Sequence, residues 1–341
     1  MSTRFSRLLV SAAVAAMAVG AVAAPGIIGT VDAAPNSPKA GKPAIDLQSH
    51  RGGRGEHTEE SLYGFARSIE LGVTTLELDV VLTRDGVPLV WHDPEIQAEK
   101  CRDTLPASLG DKQFPYVGKD VHDLTYKQIQ TLACDVPLKD FPNAKPVIGN
   151  RIATLPQVFG LAADYPGNTV RFNIETKIEA EKRSRSASPQ QFVDTILREV
   201  RRAGLTQRVE IQSFDWRSLP LVRAQAPGIP LVALYDETTW KPRSQWLGPV
   251  SYEQFDGDVV AAAKSAGFDI LSPAFAMSDA TLISRAHAAG LRVVPWTVNE
   301  VGDMRAQLAA GVDGIITDYP TRLRKVLATD GRPLPQAFQR S

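Results

Sequence analysis

Strand-like and helix-like patterns alternate along most of this chain, and this alternation restricts the possible fold more than any other feature. Strand patterns occur at residues 45–49, 75–83, 87–91, 170–177, 209–214, 231–235, 269–272, 292–297 and 314–318. Helical spacing follows a predicted cap at Thr58 and recurs at residues 152–163, 192–203, 219–226, 259–266, 279–288 and 301–309. Because strands that alternate with helices form parallel sheets, the pattern predicts an α/β fold.

The number of strands identifies the type of sheet. Three turn residues, 84–86, separate the strands at 75–83 and 87–91, and so short a connection indicates an antiparallel hairpin. Without the return arm of the hairpin, eight of the nine strands remain, the number in a closed (β/α)₈ TIM barrel. No Gly-x-Gly-x-x-Gly follows the first strand, which disfavours a dinucleotide-binding sheet. We predict the barrel, with an inserted subdomain at about 94–150, where the period is lost.

The N-terminal residues predict export. Arg4 and Arg7 precede an apolar run, and small residues around Ala33 offer a cleavage site, so residues 1–33 are interpreted as a signal peptide. An uncleaved membrane anchor is the alternative. We expect a linker at 34–43, the barrel at 44–330 and a tail at 331–341. The expected location is secreted, periplasmic or extracellular, without stable membrane insertion after cleavage.

Composition excludes some partners. Lys plus Arg equals Asp plus Glu, 38 each, so no net positive charge favours a nucleic acid, and the 43% hydrophobic content allows a large core. Cys101 and Cys134 are the two cysteines. In an exported protein such a pair suggests a disulfide; two buried thiols are the alternative.

Two carboxylates interrupt the apolar strand Leu-Glu-Leu-Asp-Val. Side chains alternate along a strand, so Glu77 and Asp79 lie on one face. Burying both is costly unless a positive charge lies between them. The hairpin brings His92 roughly opposite Leu78, and therefore close to both carboxylates.

Polar residues also end several other strands, which is where barrel active sites lie. His50 and Arg51 follow the first strand, Glu175 and Lys177 end another, and Trp296 ends a late one. Glu77, Asp79 and Glu175 can therefore converge as oxygen ligands of Ca²⁺, Mg²⁺ or Mn²⁺. His50 and His92 suit proton transfer, and Arg51 and Lys177 suit a substrate phosphate. Together these groups predict metal-assisted phosphodiester cleavage.

Each feature also has a simpler explanation. Glu77 and Asp79 could pair with arginines in a buried ion network. Lys177 could be a solvated strand end, and Trp296 could fill the core rather than contact substrate. Glu59 is expected to favour the helix dipole in a first helical turn, with metal binding as the alternative.

The sequence resembles the glycerophosphodiester phosphodiesterase family from about residue 50 to 323. The matching motifs are His-Arg-Gly at 50–52, Glu-Leu-Asp-Val at 77–80, the run from Thr83 to Asp93, Asn-Ile-Glu-Thr-Lys at 173–177, Gln-Ser-Phe at 212–214, Trp-Thr-Val-Asn at 296–299 and the run from Gly311 to Pro320. Where the family usually has Pro-Glu-Asn-Thr, this chain has Thr58-Glu59-Glu60-Ser61.

The resemblance implies a barrel enzyme. His50 and His92 would be the acid/base pair, Glu77, Asp79 and Glu175 the ligands of the divalent ion, and Arg51 a phosphate contact. The implied reaction is hydrolysis of a glycerophosphodiester to sn-glycerol 3-phosphate and an alcohol such as choline or ethanolamine. Water and the neighbouring glycerol hydroxyl are both open as nucleophile.

Two other functions are alternatives: a related barrel phospholipase of C or D type that acts on intact lipids, and a non-catalytic binding protein. An exposed apolar rim on the insertion would favour the phospholipase. A serine hydrolase is disfavoured, because the chain has no Gly-x-Ser-x-Gly motif.

Overall fold

The computed structural model describes residues 42–340. The predicted signal peptide and residues 34–41 of the predicted linker lie outside the described residues. The strands are β1 (Asp46–Ser49), β2 (Thr75–Leu82), β3 (Pro88–Val90), β4 (Arg171–Thr176), β5 (Val209–Ser213), β6 (Leu231–Tyr235), β7 (Ile270–Pro273), β8 (Arg292–Val293) and β9 (Gly314–Thr317). The helices are α1 (Leu62–Leu71), α2 (Tyr126–Ile129), α3 (Leu155–Ala163), α4 (Pro189–Arg202), α5 (Ser218–Gln225), α6 (Val259–Ser265), α7 (Ala280–Ala288), α8 (Val301–Ala310) and α9 (Pro320–Thr329).

Eight parallel strands form the predicted barrel. Their order in the sheet is β8-β7-β6-β5-β4-β2-β1-β9, and β3 lies off this path as the partner of β2. Three backbone hydrogen bonds join the ends of the sheet: Asp313 N donates to Val293 O at 2.9 Å, Ile316 N donates to Pro295 O at 3.0 Å, and Val298 N donates to Ile316 O at 3.0 Å. The TIM barrel prediction is therefore confirmed.

The hairpin places His92 as predicted. β2 and β3 are antiparallel, with Val80 opposite Val90, and continuing this register puts His92 opposite Leu78. Trp91 N still donates to Asp79 O at 3.0 Å, so the pairing extends to the residue before His92. The second histidine therefore lies beside the two carboxylates of β2.

Two predicted boundaries are wrong. Strand β8 stops at Val293 rather than at 297. Beyond it Pro295 has no N–H to donate toward β9, although Trp296 N still donates to Pro273 O of β7 at 3.0 Å. Helix α1 is capped by Ser61, whose side chain accepts a hydrogen bond from Gly64 N, and not by Thr58. The Thr58 hydroxyl instead accepts from Val147 N at 2.8 Å and so connects the barrel to the insertion.

The insertion forms a small subdomain with an apolar cluster of its own. Buried members of this cluster include Ile96, Tyr116, Leu124 and Leu132. The helix expected at 126–133 is only Tyr126–Ile129. Among residues 42–340, no helix is long and apolar enough to cross a membrane.

Cys101 and Cys134 form a disulfide within this subdomain. The bridge joins residues 33 positions apart, and the chain-entropy model gives such a crosslink about 4 kcal/mol of stabilisation. Replacing both cysteines by serine is therefore expected to lower the free energy of unfolding by up to this amount. Denaturant unfolding followed by tryptophan fluorescence would measure it. An unchanged midpoint would show that the crosslink does not stabilise the subdomain.

Candidate active site

Three buried carboxylates meet at the carboxyl ends of β2 and β4. Glu77, Asp79 and Glu175 each offer one oxygen, and these oxygens lie within 4.8 Å of one another. The register of the two strands explains this, because Asp79 is the direct neighbour of Glu175 and Glu77 precedes Asp79 on the same face. The predicted triad is thus assembled.

Two cations border the triad. Arg51 Nε lies 3.0 Å from Asp79 Oδ2, and Lys177 Nζ lies 2.8 Å from Glu175 Oε1. Burial raises the pKa of Glu175 to about 8 despite the opposing effect of Lys177, and the Asp79 carboxylate adds to the increase. Asp79 is buried too, but Arg51 and Lys177 hold its pKa well below the usual range.

The donor set fits a hard divalent cation. All three ligand atoms are carboxylate oxygens, which Ca²⁺ and Mg²⁺ prefer. Among the described residues, neither Asp79 side-chain oxygen has a hydrogen-bond partner, although Asp79 is only 1% exposed. Burial also raises the pKa of Glu77 well above its usual range, and a divalent cation among the three carboxylates would offset the cost of burying their charges. These residues can therefore hold a metal ion.

His50 lies at the end of β1, in a loop with an unusual backbone. Arg51 has φ 51° and Gly52 φ 74°, and a Cβ on Gly52 would lie 3.1 Å from Phe65 Cδ1. Glycine is therefore required where the loop packs against α1. Because of this turn, the backbone N–H of Arg51 donates to Glu77 Oε2 at 2.9 Å. His50 Nε2 lies 3.9 Å from the same oxygen.

Asp318, which was not among the predicted site residues, orients the His50 ring. His50 Nδ1 lies 2.5 Å from Asp318 Oδ1. Arg54 Nε donates to that oxygen at 2.7 Å, and Asn299 Nδ2 donates to Oδ2 at 2.7 Å. Burial lowers the pKa of His50 to about 4 although Asp318 opposes the change. The arrangement favours a neutral imidazole with Nδ1–H donated to Asp318 and a lone pair on Nε2.

His92 has a similar partner. Its Nδ1 lies 2.9 Å from Asp93 Oδ1, and Lys100 Nζ donates to Asp93 Oδ2 at 2.5 Å. Burial, followed by the positive charges of Arg51 and Lys177, holds the pKa of His92 well below its usual range. Both predicted acid/base histidines therefore have an aspartate at Nδ1.

Glu59 has a different role from the one expected. It is buried and pairs with Lys100, with Arg51 at 3.5 Å and with Arg54 at 3.8 Å. The prediction of a helix-dipole contact is wrong, because α1 begins only at Leu62. Lys100 belongs to the insertion, so Glu59 links the insertion to the residues beside the triad.

One cavity brings most of these groups together. It is lined by His50, Arg51, Glu77, His92, Glu175, Gln212, Phe214, Leu234, Trp296 and Ile316. One wall is apolar, with Phe214 edge-on to Trp296 at a ring distance of 5.3 Å. Trp296 also donates its indole N–H to Ser272 O at 3.0 Å. Lys177 does not line the cavity, but its ammonium lies 2.8 Å from the carboxylate of Glu175, which does.

Comparison with known proteins agrees with this geometry. Residues 50–322 match the model of the glycerophosphoryl diester phosphodiesterase family. A glycerophosphodiester phosphodiesterase from Caldanaerobacter subterraneus subsp. tengcongensis is 28% identical over 283 residues, which cover 83% of this chain and 98% of that protein. Human lysophospholipase D GDPD3 is 24% identical over 308 residues, 87% of this chain and 89% of the human protein.

A solved structure from Silicibacter pomeroyi DSS-3, described as a candidate glycerophosphoryl diester phosphodiesterase, superposes with a TM-score of 0.74. The two chains are 32% identical, and the match covers 86% of this chain and 96% of the other. The family match thus extends over the barrel from the residue after β1 to the start of α9, over the insertion and over every residue that lines the cavity. This chain belongs to the glycerophosphoryl diester phosphodiesterase family.

Proposed function

We propose that this family enzyme, a phosphoric diester hydrolase, cleaves glycerophosphodiesters to sn-glycerol 3-phosphate and an alcohol by acid/base catalysis. The catalytic residues would be His50 and His92, and the substrate contacts Arg51, Lys177 and Trp296. The observation that carries the proposal is that one cavity is lined by two histidines and by Glu77 and Glu175 of the carboxylate triad.

The histidines would move the protons. Each has its Nδ1 beside an aspartate, which leaves Nε2 to exchange a proton with substrate. One imidazole takes a proton from the attacking water, or from the neighbouring glycerol hydroxyl in a route whose cyclic phosphate is then opened by water. The other, entering as imidazolium, gives a proton to the leaving alkoxide. A phosphodiester anion between them would raise both pKa values and so favour the imidazolium.

The positive groups would stabilise the phosphoryl oxygens. Glu77, Asp79 and Glu175 would hold a divalent cation, which would supply Lewis-acid stabilisation of the developing charge; Ca²⁺ is our first expectation, with Mg²⁺ and Mn²⁺ as alternatives. Arg51 lines the same cavity and offers a planar guanidinium to the phosphate. Trp296 and Phe214 would pack against the carbon skeleton of the substrate.

Glycerol 3-phosphate release from glycerophosphocholine tests the proposal directly. Purified protein would be assayed with Ca²⁺, Mg²⁺ and Mn²⁺ in turn, with glycerophosphoethanolamine as a second substrate. We expect release of glycerol 3-phosphate and of the matching alcohol in equal amounts. No release under any of the three ions would contradict the proposed reaction.

Asp318 provides a test of the His50 role. Asp318→Asn keeps the size of the side chain but removes the anion that faces Nδ1, so kcat is expected to fall roughly 10- to 100-fold while KM changes little. Asp313→Asn is the matched control, because Asp313 contacts His287 Nε2 at 2.9 Å away from the cavity. Equal kinetic effects of the two variants would count against a special role for Asp318.

A second candidate substrate is a lysophospholipid. Leu105, Leu109 and Ile148 are large apolar side chains that the insertion exposes, with Leu109 fully exposed, and exposed apolar side chains on the insertion are what a lipid-active relative would need. Choline release from lysophosphatidylcholine micelles, compared with glycerophosphocholine, would measure the preference. A variant with Leu105, Leu109 and Ile148 replaced by serine should lose only the activity on lipid.

We also propose export for the mature protein. The predicted signal peptide and the Cys101–Cys134 disulfide both favour an oxidising compartment outside the cytoplasm. Fractionation of cells that express the full chain, with N-terminal sequencing, would test this location and the expected cleavage after Ala33. A cytoplasmic, uncleaved chain would contradict it.

A further inference from the structure

The interior of the barrel is divided into an apolar half and a polar half. The apolar half consists of Val232, Ile270, Val294 and Ile316, which is the usual filling of such a barrel. The polar half contains Gln48, Asn173, Glu210 and Gln212, all at most 3% exposed. Burying so many polar groups is costly unless each is hydrogen-bonded, so the polar half needs an explanation.

A continuous chain of hydrogen bonds crosses this polar half toward the triad. Gln48 Nε2 donates to Asp46 Oδ2 and to Glu210 Oε1, each at 3.0 Å. Asn173 Nδ2 donates to Gln48 Oε1 at 2.9 Å and to Gln212 Oε1 at 3.0 Å. Gln212 Nε2 then donates to Glu77 Oε1 at 2.6 Å. Three amides thus connect two carboxylates at the amino end of the barrel to a residue of the triad.

The two carboxylates fix the direction of every amide in this chain. Asp46 and Glu210 accept, so the NH₂ group of Gln48 faces them and its oxygen faces Asn173. That oxygen requires a donor, which turns the NH₂ group of Asn173 toward both glutamines. Gln212 must therefore accept with its oxygen and present its NH₂ group to Glu77. Reversing any one amide would put two donors or two acceptors face to face.

We infer that Gln48, Asn173 and Gln212 are positioning residues that hold Glu77 in the orientation that a divalent cation requires. Hydrogen-bond partners of this kind orient metal ligands. Arg51 N holds the other oxygen of Glu77 at 2.9 Å, so both oxygens are fixed. The inference rests on the metal site of the proposed function.

Breaking the chain at its centre tests the inference. Asn173→Leu is close in volume but can neither donate nor accept, so Gln212 loses the contact that sets its direction. We expect the Kd for Ca²⁺, measured by calorimetry, to rise about tenfold or more. Ile270→Val, in the apolar half, is the control and should leave the Kd unchanged. Gln48→Met breaks the chain of hydrogen bonds one residue further from Glu77, so it should raise the Kd for Ca²⁺ less. It replaces Asn173→Leu as the test variant if Asn173→Leu does not fold.

A second measurement does not depend on metal. In the metal-free wild type, the side-chain NH₂ protons of Gln212, assigned by their loss in Gln212→Leu, should exchange slowly with solvent. These protons should exchange faster in Asn173→Leu than in the wild type. In Ile270→Val they should exchange at the wild-type rate. If the wild type binds no divalent cation, the metal part of the proposed function fails and proton exchange alone decides the inference. Either of two results in a folded Asn173→Leu or Gln48→Met variant would overturn the inference. One is proton exchange at Gln212 at the wild-type rate. The other, if the wild type binds Ca²⁺, is a wild-type Kd for Ca²⁺.

Discussion

Replacing His50 or His92 by alanine is expected to lower kcat for glycerophosphocholine hydrolysis by about 10²–10⁴-fold, the usual contribution of a positioned acid or base. Both imidazoles line the cavity, and each has its Nδ1 beside an aspartate. KM should change much less, because proton transfer occurs only in the transition state. Steady-state kinetics with glycerol 3-phosphate detection would measure both constants.

His287→Ala is the control for this pair. His287 also contacts an aspartate, at 2.9 Å, but it lies on α7, away from the cavity, and is exposed. Its replacement should leave kcat within about twofold of the wild-type value, as is usual for a surface change. Near-native kcat in His50→Ala or His92→Ala would assign proton transfer to another residue.

Asp79→Asn is expected to lower kcat/KM by on the order of 10³-fold. Its two oxygens accept no hydrogen bond within the described part of the chain and lie beside the Arg51 and Lys177 cations, and several kcal/mol of charge stabilisation depends on a metal at such a site. The variant should also bind Ca²⁺ at least tenfold more weakly in calorimetry. Because Arg51 and Lys177 both lose a partner, circular dichroism and thermal unfolding must show that the variant is folded.

Glu199→Gln provides the comparison. Glu199 is a carboxylate that is 6% exposed and pairs with Arg198 and Arg202 on α4, outside the barrel. Its loss should affect stability and leave kcat/KM and Ca²⁺ affinity near wild-type values. Wild-type Ca²⁺ affinity in Asp79→Asn would remove Asp79 from the metal site.

Local patterns were sufficient to predict the barrel and the triad. The period of two along β2 puts Glu77 and Asp79 on one face, and the short turn at 84–86 returns His92 to them. The predicted boundaries of α1 and β8 were wrong: a contact distant in sequence is involved in the first case and a missing backbone N–H in the second. Thr58 accepts a hydrogen bond from Val147 of the insertion instead of capping α1, and Pro295 cannot donate a hydrogen bond from β8 toward β9.

The partners of the site residues were not predictable in the same way. Asp318 follows the apolar strand β9, as His50 follows β1, so the polar residue at a strand end was an available signal. Its contact with His50 spans 268 positions of sequence and depends on barrel closure. Lys100 lies in a segment without periodicity, and no local pattern connects it to Glu59, 41 residues earlier.

The most direct test of the proposed metal-dependent hydrolysis is a reconstitution assay. Protein stripped with a chelator and then dialysed would be assayed for glycerol 3-phosphate release while Ca²⁺, Mg²⁺ or Mn²⁺ is added back. The proposal predicts almost no activity in the stripped protein and recovery that saturates near one equivalent of a tightly bound ion. Full activity of the stripped protein in excess chelator would contradict it.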